Sequence, residues 1–249
     1  MIFILPTYNQ TKGLTKFLNL NKFNYKAIVS DNTKDNRIQE KIKKYKYIEY
    51  LKNHPNGPVE NWNTGLKKIK TSDLVMMLHD DEYLNEELYE YISKLSINKD
   101  KVYLFNYAVK KNNKKVNHGF SPIVKSFLLK WLPESILFFN FIGPTAAYIY
   151  YYDKRNPEFY DINLTWLVDI EFFYRISRNK TYEFLPYTVE TKLKKKSITQ
   201  NLNNSKLKIF FKEITYIKNK FNISNMKFIF YILISFFIRA IKKTLNIFL

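Results

Sequence analysis

LVMMLHDDEYL, residues 74–84, decides the reading of this chain. It opens as a buried strand, with Leu74, Val75, Met76, Met77 and Leu78 in an unbroken apolar run. It closes on three adjacent acids, Asp80, Asp81 and Glu82. Clustered carboxylates repel one another unless a cation joins them. Two or three of them suit a hard divalent ion such as Mg2+ or Mn2+, which prefers oxygen ligands and bridges substrate phosphates. The same acids also suit an exposed turn that starts a helix, where negative charge complements the dipole. The cluster alone leaves both readings open.

Working outward, the flanks repeat the strand-then-polar pattern. IFIL at 2–5 predicts a short buried strand stopped by Pro6, followed by a helix over 13–20. Tyr25 to Val29 predicts a second strand that ends in Ser30, Asp31 and Asn32. A charged helix over 37–45, a strand in YIEYLKN and a helix over 59–69 lead into the quoted segment. After it come an acid-rich helix over 85–95 and a strand over 102–109. Such alternation predicts a parallel α/β sheet, and ligands bind beyond the carboxyl ends of its strands. Three ends there are polar: Thr7-Tyr8-Asn9, Asp31-Asn32 and Asp80-Asp81-Glu82. Further on, AAYIYYY predicts a strand, WLVDIEFFYRIS a helix with Asp169 near its start, and YEFLPY another strand. A basic loop, KLKKKS, follows. Domain boundaries are expected at 1–200 (halves 1–110 and 111–200) and 201–249.

Composition bounds the partners. The chain has 249 residues, 46% hydrophobic and 18% aromatic, enough for one sizeable core. With no cysteine, a disulfide framework is excluded and a reducing compartment is expected. MIFILPTYN has no basic leader and only a short apolar run, so no signal peptide is expected. A net charge of +19 favours polyanionic partners, although Lys- and Asn-rich codon usage accounts for part of it. Nucleic acid is not the expected partner, since the basic residues are dispersed rather than interleaved with aromatics on one face.

ILPTYN, VSDN, NGPVENWNTGL, LHDDEYL, FIGPTAAYIYYYD and TWLVDIEFFYRI together resemble glycosyltransferase family 2, in order and spacing, from about Met1 to Thr199. The resemblance implies a GT-A fold, which is α/β with a Rossmann-like, mostly parallel central sheet flanked by helices. It implies an inverting transferase that takes a sugar from a nucleotide-diphosphate sugar, UDP foremost. Pro6, Thr7, Tyr8 and Asn9 match the loop that holds the nucleotide, and Asp31 matches the acid that accepts from the base. Asn61 and Asn63 match the polar helix start lining the donor pocket. Asp80 matches the residue facing ribose or metal, and Asp81 and Glu82 match the ligands of a Mn2+ or Mg2+ ion. Asp169 matches the catalytic base. Two departures stand out. Val168 replaces an acid the family often carries before its base, with Glu171 as a possible substitute. Lys194 stands where the family often has histidine, suited to a diphosphate as a point charge. With Lys192, Lys195 and Lys196, Lys194 forms a basic loop that suits the phosphates.

The tail, MKFIFYILISFFIRAIKKTLNIFL (226–249), has an uncharged core too short to span a bilayer. It is expected to lie in the interface of an anionic membrane at the cytoplasmic face, and the family resemblance implies a saccharide or lipid-diphosphate-linked acceptor of surface polysaccharide synthesis. The other reading docks the tail on the domain. Competing functions are a nucleotidyltransferase, which would want a Gly-rich loop after the first strand, and a subunit with a decayed site.

Overall fold

Alternating burial along two strands sets the layering. The computed structural model describes residues 1–9, 11–53, 57–111, 114–117, 119–192 and 206–248. Strand β1 (Ile2–Thr7) sends Ile2 and Ile4 into one apolar cluster and Phe3 and Leu5 into another. β4 (Asp73–Met77) does the same with Val75 and Met77 against Leu74 and Met76. Successive side chains point to opposite faces, so a strand covered on both sides reads as a continuous apolar run.

β2 (Lys26–Asp31) and β3 (Ile48–Lys52) complete a parallel block in the order β3-β2-β1-β4. The helices α1 (Lys12–Leu20), α2 (Arg37–Ile42) and α3 (Pro58–Lys67) connect these strands. α1 and α2 cover one face through Leu14, Phe17, Ile38 and Ile42, while α3 covers the other through Val59, Trp62 and Leu66. Gly57 and Pro58 open α3, with proline at the position where its missing N–H costs nothing.

Beyond β4 the parallel run stops. β5 (Glu82–Tyr83) and α4 (Glu86–Ser93) come first, then β6 (Lys101–Lys111) and β7 (Lys114–Asn117) as a hairpin. α5 (Pro122–Trp131), two 3-10 turns (Pro133–Leu137 and Thr145–Ala147), β8 (Tyr148–Tyr152), α6 (Val168–Ser177) and β9 (Thr181–Lys192) follow. The strand expected at 102–109 does not pair with β4. β8 lies between them, antiparallel to both. β9 runs parallel to β6, longer than its sequence suggests. Pro186 falls where the register slips between Leu104 and Asn106, the sort of irregularity that tolerates a missing N–H. β5 then pairs antiparallel with the end of β9, Glu82 opposite Thr191.

Two helices close the chain, α7 (Lys206–Lys220) and α8 (Asn225–Phe248). Phe210, Ile214 and Ile217 of α7 enter the same cluster as α3 and α6. α8 docks one stripe, Phe228, Tyr231, Ser235 and Ile238, and leaves Met226, Ile229, Phe230, Leu233, Phe236 and Phe237 exposed. Among the described residues no helix is long and apolar enough to cross a membrane.

Candidate functional site

The ends of β1 and β2 form one wall. Asp31 is wholly enclosed, at 0% exposure. Its Oδ1 accepts from Thr7 Oγ1 at 3.1 Å and from the Thr33 N–H at 2.8 Å, and its Oδ2 accepts from the Tyr50 hydroxyl at 2.9 Å. Lys52 Nζ stands 3.6 Å away. Pro6 pairs with Ser30 inside the sheet. Tyr8 just beyond is 58% exposed, and Asn9 takes φ +55°, a left-handed turn that asparagine tolerates well. The Asn9 N–H donates to Thr33 Oγ1 at 2.9 Å, tying the two strand-end loops together.

α3 braces this wall. Asn61 Oδ1 accepts from Ser30 Oγ at 2.7 Å and from Asn53 Nδ2 at 2.6 Å. Asn63 holds the opposite side: its Nδ2 donates to Tyr160 O and its Oδ1 accepts from the Tyr160 N–H, both at 2.8 Å. Between them Trp62 stacks on His79 at 4.9 Å and meets Tyr160 edge-on at 5.1 Å.

β4 delivers the acids. Asp80 and Asp81 are half-buried, while Glu82 is turned inward. Glu82 Oε2 accepts from the His79 N–H at 2.7 Å, and Thr145 Oγ1 donates to the carboxyl at 3.3 Å. Burial, with the neighbouring Asp81 charge, pushes the Glu82 carboxyl up to about 8. Gly13 lies so close that a Cβ there would meet the Asp80 Cα and O at 2.6 Å. Pro6, Thr7, Gly13, His79 and Asp80 thus line one small cleft.

Asp169 faces this ensemble from the first turn of α6. Its residue keeps some exposure, but Oδ1 is shut from solvent and has no hydrogen-bond partner among the described residues. Burial raises its carboxyl to about 6; a charge on His79 opposes the rise and Glu82 adds to it. The base expected at the start of that helix and the acids expected at the end of β4 are therefore within electrostatic reach of one another. Tyr148 and Tyr160 lie within electrostatic reach of Asp169; their hydroxyls are buried and meet each other with no further partner among the described residues, and Asp169 pushes both further up.

α6 has no side-chain cap of its own. Glu213 of α7 supplies one. Its buried carboxylate accepts from the N–H groups of Thr165 at 2.7 Å, Trp166 at 3.0 Å and Leu167 at 2.8 Å. Glu171, offered by the sequence as a substitute helper acid, is fully buried and paired with Arg175 at 2.6 Å and Lys220 at 2.8 Å. It fastens α6 to α7. Arg175 is thereby engaged with Glu171 and Glu158 rather than with Asp169.

The donor set has the chemistry for a hard cation at Asp80 and Asp81, whose partly exposed carboxylates leave room for phosphate oxygens and water. The Glu82 oxygens are already engaged and disposed to hold a proton. Among the described residues no three His, Cys, Asp or Glu side chains form a ready-made cage. Lys194, with Lys195 and Lys196, lies outside the described residues. Sequence reasoning set His79 aside and passed over Trp62, Thr145, Tyr148, Tyr160 and Glu213. The aromatic density of the YIYYY strand was a signal for Tyr148 alone.

A family model described as "Glycosyl transferase family 2" matches residues 2–167, two thirds of the chain, and stops two residues short of Asp169. None of the curated proteins matches the chain. Among solved structures it is similar to TarS from S. aureus, residues 1–349, at 19% identity and a TM-score of 0.56. The alignment covers 77% of this chain and 60% of that one, so the chain spans well under two thirds of TarS 1–349. At that identity the likeness shows a shared fold.

Proposed function

The chain belongs to glycosyl transferase family 2, and on that premise we propose that it moves a sugar from a nucleotide-diphosphate sugar, UDP foremost, to a hydroxyl of a saccharide or lipid-diphosphate-linked acceptor in surface-polysaccharide synthesis. The observation that carries this reading is Asp169: a carboxyl raised to about 6, free of any ion pair among the described residues, and within electrostatic reach of His79 and Glu82 at the end of β4. Such a group is ionised at neutral pH yet basic enough to take a proton from an alcohol.

In this reading Tyr8 offers its exposed ring to the base, and Asp31, enclosed here by Thr7, Thr33 and Tyr50, takes the base N–H once the Tyr50 hydroxyl yields its place on Oδ2. Thr7, Asn9 and Asn61 hold the loop in place; Asp80 faces the ribose. Asp81, with Asp80, would hold a divalent cation, which when bound supplies positive charge against the leaving diphosphate. Lys194 adds charge for the same phosphates. Asp169 removes the acceptor proton as the hydroxyl oxygen bonds to the anomeric carbon and the bond to the diphosphate breaks. One base opposite the leaving group gives a single displacement and inversion. His79, held against Trp62, tempers the Asp169 charge. The outer stripe of α8 rests on the inner face of the plasma membrane, where a lipid-linked acceptor resides.

A panel of UDP-, dTDP- and GDP-sugars, with and without Mn2+, tests this by thermal protection and by hydrolysis. Protection and slow hydrolysis with at least one donor are expected. Silence across the panel would remove the donor assignment.

A further inference from the structure

α5 carries a second apolar face that none of the described residues covers. Its inner residues, Lys125, Leu128 and Leu129, are buried. Its outer residues follow the same helical spacing: Ile123 is 81% exposed, Phe127 57% and Trp131 64%, with Val124 beside them. An aliphatic, an aromatic and a tryptophan in one exposed row bury nothing inside the domain.

One turn joins the helix that carries this face to the docking site of α8. α5 runs directly into the turn Pro133–Leu137, and that turn is where α8 docks. Lys227 Nζ meets Glu134 at 3.2 Å, the Tyr231 hydroxyl donates to Glu134 at 2.8 Å, and Ser235 Oγ donates to Phe138 O at 3.0 Å. The surroundings are cationic. Lys130 sits over the Trp131 ring, and Lys227, paired with Glu134, is exposed at the start of α8. A cavity of about 560 Å3 opens between α5, that turn, α6 and β9, with Lys130, Arg178 and Lys180 in its lining against one acid, Glu134. Apolar rows rimmed by cations fit a bilayer surface bearing anionic headgroups, with tryptophan at headgroup depth.

We propose that α5 and the outer stripe of α8 form one lipid-facing surface, so that the protein meets an anionic membrane through two helices. This rests on the membrane reading of α8 given above and adds a second element to it. Two helices from different parts of the chain fix the tilt of the domain on the bilayer, where a single helix would leave it free to swivel.

The full chain carries its own probe. Trp62 is buried and Trp166 half-buried, so Trp131 is the exposed tryptophan. Vesicles of phosphatidylcholine with equal phosphatidylglycerol, their acyl chains brominated, are expected to quench the native chain severalfold more than Trp131→Phe. Ile123→Ser with Phe127→Ser is expected to weaken vesicle partitioning about tenfold while leaving the melting temperature unchanged, since neither side chain packs inside. Binding without Trp131 quenching would overturn the α5 proposal and leave the α8 reading standing. Failure to bind anionic vesicles at all would overturn both. A dimer in solution that Phe127→Ser dissociates, with no quenching by lipid, would assign the face to a second copy of the chain and overturn the proposal.

Discussion

The two walls of the pocket are built in opposite ways. On the β1–β2 side most buried polar groups answer one another: Asp31 receives Thr7, Thr33 and Tyr50, and Asn61 receives Ser30 and Asn53, with Asn32 Oδ1 the exception among the described residues. On the α6 side Asp169 Oδ1 and His79 Nε2 are buried without partners among the described residues, and the buried Tyr148 and Tyr160 hydroxyls have only each other. Leaving a buried polar atom unmatched costs about 1–3 kcal/mol, so such atoms mark places where the fold accepts strain for another purpose. The saturated wall is a rigid template for a ligand of fixed shape. The unsaturated wall keeps its capacity for groups that change protonation during a reaction.

The strongest way to break this contrast is Asp169→Asn. The amide matches the carboxylate in size but takes no proton from an acceptor. Transfer is expected to fall by ~10²- to 10⁴-fold, with donor affinity unchanged, by turnover assays beside donor titration. In the native protein kcat/KM is expected to rise with pH through about 6, because the ionised carboxylate is the active form. Retained turnover in the variant would mean that the unsaturated wall is not where the proton goes.

Next in size is Glu213→Ala. The helix that carries Asp169 takes its cap from a residue 44 positions later than Asp169, so α7 acts at a distance on that carboxyl. Removing a carboxylate that accepts from three N–H groups is expected to cost roughly 1.5–3 kcal/mol in denaturant melts, as for hydrogen bonds to charged groups. If Glu213 positions Asp169, kcat falls in protein that is still folded while donor KM holds. If its role is stability alone, kcat follows the folded fraction.

These features also show what a single sequence reveals. β1, β2, β4 and their polar ends were legible because a strand buried on both faces writes a continuous apolar run, and chain order then places the ends together. The place of Asp169 at a helix start was legible because α6 keeps helical spacing, while its role rested on the resemblance alone. Local periodicity says nothing of long-range partners. It gave no sign that β8 would slide between β4 and β6, that Glu82 would pair with Thr191, or that Glu213 would cap α6. The tail posed a choice between membrane and domain, but α8 has two faces, one docked and one exposed.

Gly13→Ala sharpens the contrast from the template side. The added methyl would sit 2.6 Å from the backbone of Asp80, and backbone cannot swing aside as a side-chain tip does. Donor KM is expected to rise about tenfold, or ~1.4 kcal/mol, with kcat nearly intact. An unchanged KM would detach Asp80 from donor binding.

The smallest effect belongs to Glu82→Gln, and it tests which wall that residue serves. The Glu82 carboxyl sits at about 8 in the folded protein against 4.5 ordinarily. Between those values the folded state holds the proton more tightly than the unfolded chain, so this group's contribution to stability is full at low pH and declines as pH rises towards 8. Glutamine keeps an acceptor for the His79 N–H without that titration. Its melting temperature is expected to lie close to that of the native protein near pH 5 and to exceed it increasingly as pH rises towards 8. If cation-stimulated turnover survives in the variant, Asp81 and Asp80 suffice to hold the ion and Glu82 belongs with the Asp169 wall. If it is lost, Glu82 exchanges its proton for the cation, and that wall and the metal site are one structure.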